Sequence, residues 1–419
     1  MKPKILRISC YLALVVGTGL LCSAAEPQAK PSSKSPQPPI YIIVNQDQAY
    51  PYPNQVAILT AGGTDTNPTL TVQDQIYTGG YGSYGGFFGL PRVASAPDVN
   101  TNCVYVSNSG DNTVSALALN TLSFVGSYSG SLTDSGNPDG VGMAVNSSYL
   151  YAGYSASQTI GVFATSSGCG LTFLQDVPAA GQNGGGPTGI ATNNNVLVVT
   201  YGDGSIQSFD VTHGIPVPNH DLQNSLGFAG PVGGLNSPLG NIPNGVDISQ
   251  DGRWAIFGDT STLSLVEISS LFSLAHTQLA RTRPFYALGT NVDAGDVHLS
   301  PDGTLLYAVN NESGTVTASF FNTATGLLTK GCTSPTLRNF NALPWYGQIV
   351  TRDTTGTGKV LYVVEQGRFV DEQGPPSAVG ILTITVNGNT CSLAEAPGSP
   401  VEVPLAGALS LGAYPPRPY

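Results

Sequence analysis

Charge is scarce in this chain: only 10% of its 419 residues are Asp, Glu, Lys or Arg, and it holds just 4 His, 2 Met and 2 Trp. The few charges are also unbalanced, 15 basic against 26 acidic, which argues against nucleic acid and anionic membrane surfaces as partners. No C-x-x-C pair supports a metal site. The glycine-rich runs Gly79 to Gly89 and Gly184 to Gly189 lack the Lys and the following helix of a phosphate loop, so they read as turns. No G-x-S-x-G elbow stands between a strand and a helix, which disfavours a serine hydrolase. What is abundant is 52 Gly and 31 Pro, a composition for many tight turns and few helices. One short helix is expected within Leu265 to Ala280.

The N-terminus carries Lys2, Lys4 and Arg7, an apolar run from Tyr11 to Leu21 and then Ser23-Ala24-Ala25, the three-part plan of a cleavable secretory signal ending at residue 25. Cys22 makes a lipoprotein signal the rival, although Leu21 is bulky for that site. A membrane anchor would need about 20 apolar residues, more than this run supplies. Residues 26–39 read as a Pro/Ser/Lys-rich spacer. Removal of residues 1–25 takes away three basic residues and leaves 12 basic against 26 acidic. The expected location is secreted, periplasmic or at the cell surface, with no membrane span after cleavage.

From Asp296 to Leu328 the chain reads as an antiparallel meander, with an alternating run from Val297 to Ser300, an Asp302-Gly303 turn of the I′ type, an apolar run from Leu305 to Val309, and a second alternating run from Val316 to Phe321. The same pattern recurs, with first-hairpin turns at Asp98, Asn146, Asn195, Asp251, Asp302 and Asp353, spaced 48, 49, 56, 51 and 51 residues apart. A period near 50 built from four short strands is a propeller blade. The inner strands are Val93 to Ala96, Val141 to Ala144, Ile190 to Thr192, Val246 to Ser249, Val297 to Ser300 and Gln348 to Thr351. A seventh blade is split between Ile40 to Val44 with Val56 to Leu59 and, at the far end, Gly407 to Gly412. The fold expected for residues 40–419 is therefore all-β: a seven-bladed β-propeller with four antiparallel strands per blade and Velcro closure by the C-terminal strand.

Four cysteines remain after signal cleavage. Cys103 opens a second strand and Cys169 sits in an outer turn of the next blade, while Cys332 and Cys391 lie in outer strands of neighbouring blades. Pairing 103 with 169 and 332 with 391 is favoured over four free thiols.

The segments Cys103 to Leu119, Ile248 to Ile268 and Leu299 to Ser319 (LSPDGTLLYAVNNESGTVTAS) resemble the YVTN-type repeats of the lactonase-like propeller family, which includes 6-phosphogluconolactonase. The resemblance implies seven blades and a ligand at the channel mouth. It also implies an Arg-His pair entering an inner strand and an Asn-Glu pair in the next. In this register Gly295 and Asp296 stand at the first pair and Asn310-Asn311 at the second, with Glu312 one position late.

The positions entering the inner strands are Arg92, Asp139, Thr188, Asn244, Asp296 and Tyr346, most of them beside glycine. Arg92 and Asp296 interrupt that glycine column and are the leading candidates, against the alternative of a structural charge network at the mouth. Arg92, Asp139, Asn244, Asp296, Tyr346 and Arg368 form the candidate ligand set, and Arg92, Asp296 and Glu312 are the candidates for catalysis. The loops His213 to Gly245 and Glu365 to Ser377 exceed the repeat and are the other places for function. His213, His220 and Asp221 lack tight ligand spacing and read as surface groups, so neither a metal nor a cofactor is implied. His298, alternating on an inner strand, reads as structural. The function expected is a monomeric binding platform for a small carbohydrate-like molecule or an extracellular partner, with lactone hydrolysis as the alternative.

Overall fold

The computed structural model describes residues 39–46, 48, 50–83, 92–97, 101–130, 140–193, 195–219, 232–233, 244–258, 262–267, 286–287, 294–310, 313–337, 349–350, 359–365, 367, 376–408 and 410–416. The leader, the spacer to residue 38, Asp139, Glu312, Tyr346 and Arg368 lie outside them. Among the described residues no helix is long and apolar enough to cross a membrane.

The described chain is all β. The first strands are β1 (Ile40–Asn45), β2 (Gln55–Thr64) and β3 (Asn67–Tyr77). Sheet 1 follows as β4 (Val93–Ser95), β5 (Cys103–Asn108), β6 (Thr113–Ala118) and β7 (Ser123–Ser129). Sheet 2 is β8 (Val141–Val145), β9 (Tyr149–Tyr154), β10 (Thr159–Thr165) and β11 (Leu171–Pro178). Sheet 3 is β12 (Pro187–Asn193), β13 (Val196–Tyr201), β14 (Ser205–Asp210) and β15 (Val217–Pro218), with β16 (Val232–Gly233) also on β14. Sheet 4 is β17 (Asn244–Ile248), β18 (Trp254–Gly258), β19 (Thr262–Glu267) and β20 (Tyr286–Ala287). Sheet 5 is β21 (Ala294–Leu299), β22 (Leu305–Asn310), β23 (Thr315–Asn322) and β24 (Leu327–Thr333). Sheet 6 is β25 (Ile349–Val350), β26 (Val360–Glu365), β27 (Ala378–Asn387) and β28 (Thr390–Glu395), with β29 (Val401–Glu402) on β27. The last strand, β30 (Ser410–Tyr414), pairs antiparallel with β1, from Tyr41 opposite Tyr414 to Asn45 opposite Ser410. This makes a joined sheet in the order β3-β2-β1-β30.

Alternation along each strand decides how the sheets stack. On β1, Ile42 and Val44 pack with Tyr362 and Ile381 of sheet 6. Ile43, between them in sequence, packs with Val104 and Val106 of sheet 1. On β5 the neighbours of those valines, Cys103 and Tyr105, turn the other way into sheet 2. On β22, Leu306 and Ala308 face sheet 4 while Leu305, Tyr307 and Val309 face sheet 6. Second strands are thus covered on both faces, which is why β5, β22 and β26 are buried along their whole length. Each large apolar side chain so buried contributes about 1.5–3 kcal/mol. Outer strands such as β3 and β24 keep only a few buried positions among exposed ones, as expected of a sheet rim in water. The innermost strands touch in cyclic order: β30 to β4, β8, β12, β17, β21, β25 and back to β30. This is a β-propeller of four-stranded antiparallel units.

Several sequence expectations need correction. The Asp302-Gly303 turn is not of the I′ type, because only Gly303 takes positive φ, at 69°. Asp302 instead uses its carboxylate, accepting from the Thr304 N–H at 3.0 Å and the Ser300 hydroxyl at 2.6 Å. Ser249-Gln250-Asp251-Gly252 repeats the device, with Asp251 accepting from Ser249 and from the Arg253 N–H. The side-chain oxygen closes the turn that the backbone alone would close in a two-residue hairpin. Leu265 to Glu267 belong to β19, and the rest of the segment expected to hold a short helix lies outside the described residues. The last strand runs Ser410–Tyr414, a few residues beyond the expected Gly407 to Gly412.

Both expected disulfides are present. Cys103–Cys169 joins sheets 1 and 2, and Cys332–Cys391 joins the outer strands of sheets 5 and 6, with Cα atoms 5.2 and 5.5 Å apart. They close loops of 66 and 59 residues, which in the chain-entropy account stabilises the fold by about 4 kcal/mol each.

Two predictions follow from this packing. Deleting Leu405 to Tyr419 uncovers the hydrogen-bonding edge of β1 and removes Leu411, Ala413 and Tyr414 from two cores, so cooperative thermal unfolding is expected to be lost; a truncated chain that melts like the parent would refute this role. Burial, reinforced by Tyr128, pushes the Tyr105 hydroxyl from 10.0 up to about 12, and burial raises Tyr151 and Tyr201 as well. The unfolded chain releases these protons first, so the Tyr105 contribution is full below pH about 10 and is lost as pH rises through about 12, and those of Tyr151 and Tyr201 are lost only at still higher pH. Urea midpoints should fall across that window, and less steeply in Tyr105→Phe.

Candidate functional site

Inner strands begin, and second strands finish, at one common end of the sheets; this is the entry face. Its polar groups are set by strand ends rather than by free loops. Arg92 immediately precedes β4 and is 2% exposed. Its backbone N–H donates to Ser410 Oγ at 3.2 Å, and its guanidinium Nη1 donates to Ser109 Oγ at 3.3 Å. Ser109 Oγ in turn accepts from the Val141 N–H of sheet 2 at 3.4 Å. Arg92 therefore ties the joined sheet, sheet 1 and sheet 2 together, and its cationic head is interior to the wall.

Asp296 is half-buried on β21. Its Oδ1 lies 2.7 Å from where a Cβ on Gly245 would sit, and Gly245 has φ 63°. The carboxylate thus lies over the backbone of β17, in space that any side chain at 245 would fill. Both β17 and β21 carry a register irregularity at this point, which turns the Asp296 position out of the regular alternation. Asn244 opens β17 opposite Gly258. Thus Arg92 and Asp296 stand at the same face but in sheets 1 and 5, and the structure does not bring them together.

Of the two positions that match the second pair, Asn311 lies outside the described residues and Asn310 has a local duty. Asn310 Nδ2 donates to Thr315 Oγ1 at 2.8 Å and Thr317 Oγ1 at 2.9 Å. In sheet 1, Asn108 Nδ2 donates likewise to Thr113 Oγ1 and Ser115 Oγ, while its Oδ1 accepts from Asn54 and Thr78. Asn at the end of a second strand is therefore a clamp on the hairpin to the third strand. His298 is also structural: Nδ1 lies 3.7 Å from Asp247 Oδ2, which accepts the Leu299 N–H at 2.8 Å and so links inner strands β17 and β21. His213 is exposed, and the described residues contain no group of three or more His, Cys, Asp or Glu able to hold a metal.

Glu365 is a residue the sequence reading took for the start of a loop. It is the last residue of β26, 5% exposed, paired with Ala378, and its carboxylate lies directly against Gly380. Its signal was its register: it ends an apolar second strand as Asn108 and Asn310 do. Nearby, Ser377 Oγ accepts the N–H groups of Gly367 at 3.1 Å and Ala408 at 2.9 Å. The segment leading into β30 is held there, so Glu365, Ser377, Ser410, Asn45 and Arg92 occupy consecutive positions along the entry face of sheet 6, the joined sheet and sheet 1.

No protein-family model matches the chain, and no curated sequence is significantly similar to it. Solved structures define the class of fold as a β-propeller. The periplasmic gluconolactonase of Pseudomonas aeruginosa aligns with a TM-score of 0.64 at 13% identity, over 89% of this chain and 99% of its own. A candidate 6-phosphogluconolactonase of Bacteroides uniformis gives 0.62 at 13% identity, over 90% and 100%. Its counterpart from Bacteroides fragilis gives 0.61 at 16% identity, over 90% and 98%. Likeness at this identity establishes architecture, and chemistry has to be argued from the site.

Because the Asn clamps and Arg92 are buried and bonded, Asn108→Ala, Asn310→Ala and Arg92→Ala are each expected to lower stability by about 1–3 kcal/mol. Chemical denaturation would show this as a lower midpoint at unchanged slope, and an unchanged Arg92→Ala midpoint would return that residue to the ligand-facing set.

Proposed function

We propose that the chain is an exported, seven-bladed lactonase-like propeller, closed by β30 in Velcro fashion, that binds a small carbohydrate-like ligand or an extracellular partner at its entry face. The cyclic order of inner strands supports the ring. The two disulfides and the N-terminal signal pattern support export, to the periplasm, cell surface or medium. Residues 1–25 then serve as the cleaved signal and 26–39 as a spacer. The chain acts as a monomer, without nucleic acid, metal or cofactor. The observation that carries the binding reading is the half-buried Asp296 carboxylate, lying at the entry face over the Gly245 backbone in space no side chain fills, in a chain where charge is otherwise rare. Asp139, Asn244, Tyr346 and Arg368 complete the candidate ligand set.

Lactone hydrolysis is the second reading, favoured by the buried carboxylate of Glu365 on the face that also presents Asp296. A carboxylate can activate water, and an arginine can stabilise the oxyanion formed on ring opening. A neutral sugar lactone fits an exported protein better than a phosphorylated one. The two readings separate in one assay: turnover of sugar and acyl lactones by the mature protein, with Asp296→Ala and Glu365→Gln alongside. Turnover lost in either variant, with its melting curve retained, establishes the enzyme. Binding without turnover, weakened by Asp296→Ala, establishes the platform.

A further inference from the structure

One layer of the inner strands departs from its own pattern. Each inner strand sets one residue opposite the third residue of its sheet's second strand, so these residues are equivalent around the propeller. On five inner strands that residue is small and apolar: Ala94, Ala144, Ala191, Val350 and Ala413. On the other two, the adjacent strands β17 and β21, it is Asp247 and His298.

The layer is therefore interrupted twice, side by side, and by groups able to carry opposite charge. The Asp247 side chain is 9% exposed and that of His298 21%, with His298 Nδ1 3.7 Å from Asp247 Oδ2. A buried carboxylate is costly unless it is bonded, and the backbone holds this one: Oδ1 accepts the Ile248 N–H at 2.8 Å and Oδ2 the Leu299 N–H at 2.8 Å. The second of these bonds crosses from β17 to β21. The carboxylate is thus fixed on one strand and attached to the next, and the imidazole beside Leu299 stands just beyond hydrogen-bond reach of it.

The pair underlies the candidate site. The Asp296 carboxylate lies over Gly245; Gly245 is two residues before Asp247 on β17, and Asp296 two residues before His298 on β21. Whatever draws β17 and β21 together at Asp247 therefore also firms the seat of Asp296. The elements packed against β21 are β17, β18, β22 and β25. Among their described residues the titratable groups are Asp247 and Tyr307, which stands opposite His298 on β22, and β21 itself adds Asp296. Carboxylates ordinarily ionise near pH ~4 and phenols near ~10, so between pH ~5 and ~8 the imidazole is the group that changes charge.

We propose that Asp247 and His298 form a pH-operated latch between β17 and β21 beneath the entry face, closed by protonation of His298. The imidazolium draws the contact with Asp247 into an ion pair, and the neutral ring leaves it slack. A histidine that gains a partner on folding adds stability below the pH at which it titrates in the unfolded chain, about 6.5, and that contribution is lost as pH rises through the folded value. The latch's use as a regulator of ligand binding at Asp296 rests on the binding reading above; its closure does not, and is tested without a ligand.

In hydrogen exchange of the mature protein, corrected for the intrinsic pH dependence, peptides covering 244–248 and 294–299 should exchange about tenfold more slowly at pH ~5.5 than at pH ~8, and Asp247→Asn should remove the difference. Proton NMR follows the charge itself. Of the four histidines, one should titrate about half a pH unit or more lower in Asp247→Asn, whose amide oxygen still accepts a backbone N–H, and its resonance should vanish in His298→Gln. An exchange profile unchanged in Asp247→Asn, or no histidine midpoint that moves, overturns the latch, and both measurements stand even where His298→Gln fails to fold. Protection lost equally at both pH values in His298→Gln marks a packing contact and also overturns it. Asp296→Ala, which removes the carboxylate of the binding reading, should keep the exchange difference; its loss there would assign the charge response to Asp296 and overturn the pairing with Asp247.

Discussion

Face-to-face packing of sheets is the constraint on which the rest of the structure depends. A four-stranded sheet whose second strand is buried along its whole length, as β5, β22 and β26 are, has two faces to bury, and one partner covers only one of them. Each sheet here therefore needs a neighbour on both sides, as Ile42 and Ile43 show by packing into different cores from adjacent positions. Such stacking leaves its end sheets uncovered unless the array returns on itself, which the contact of β30 with both β4 and β25 achieves. The polar groups of the entry face inherit their positions from this packing. Glu365, Asn108 and Asn310 are strand ends, so their places are as fixed as the core beneath them.

Architecture was legible in the sequence because the repeat leaves marks in residue types. Ser-x-Asp-Gly turns, continuous apolar second strands such as Leu305 to Val309, and the 50-residue spacing all follow from local chemistry. The cysteine pairs were legible for the same reason, once strand order assigned each half to a neighbouring unit. The turn type was misjudged, because Asp302 can act through its side chain as well as through its backbone.

The site was less legible, since it depends on which sheet ends meet. Arg92 stood out as a charge in a glycine column and was read as facing ligand, whereas the hydroxyls of Ser109 and Ser410, distant in sequence, draw it into the wall. Glu365 was hidden at the boundary between a strand and a long loop. Tyr81 lay in a run that reads only as a glycine-rich turn, and its pairing with Tyr50 arises from two different loops of one sheet.

The pairing of β1 with β30 also determines how the molecule responds to force. Tyr41 stands opposite Tyr414, so the start of β1 and the end of β30 lie side by side. Tension applied at those two points pulls the strands apart across their ladder, loading one pair of hydrogen bonds at a time, as a zipper is opened. The same ladder loaded along its length would share the force over every pair at once. Neither disulfide spans the β1–β30 pair, so under such tension that ladder has no covalent reinforcement and is the mechanical weak point.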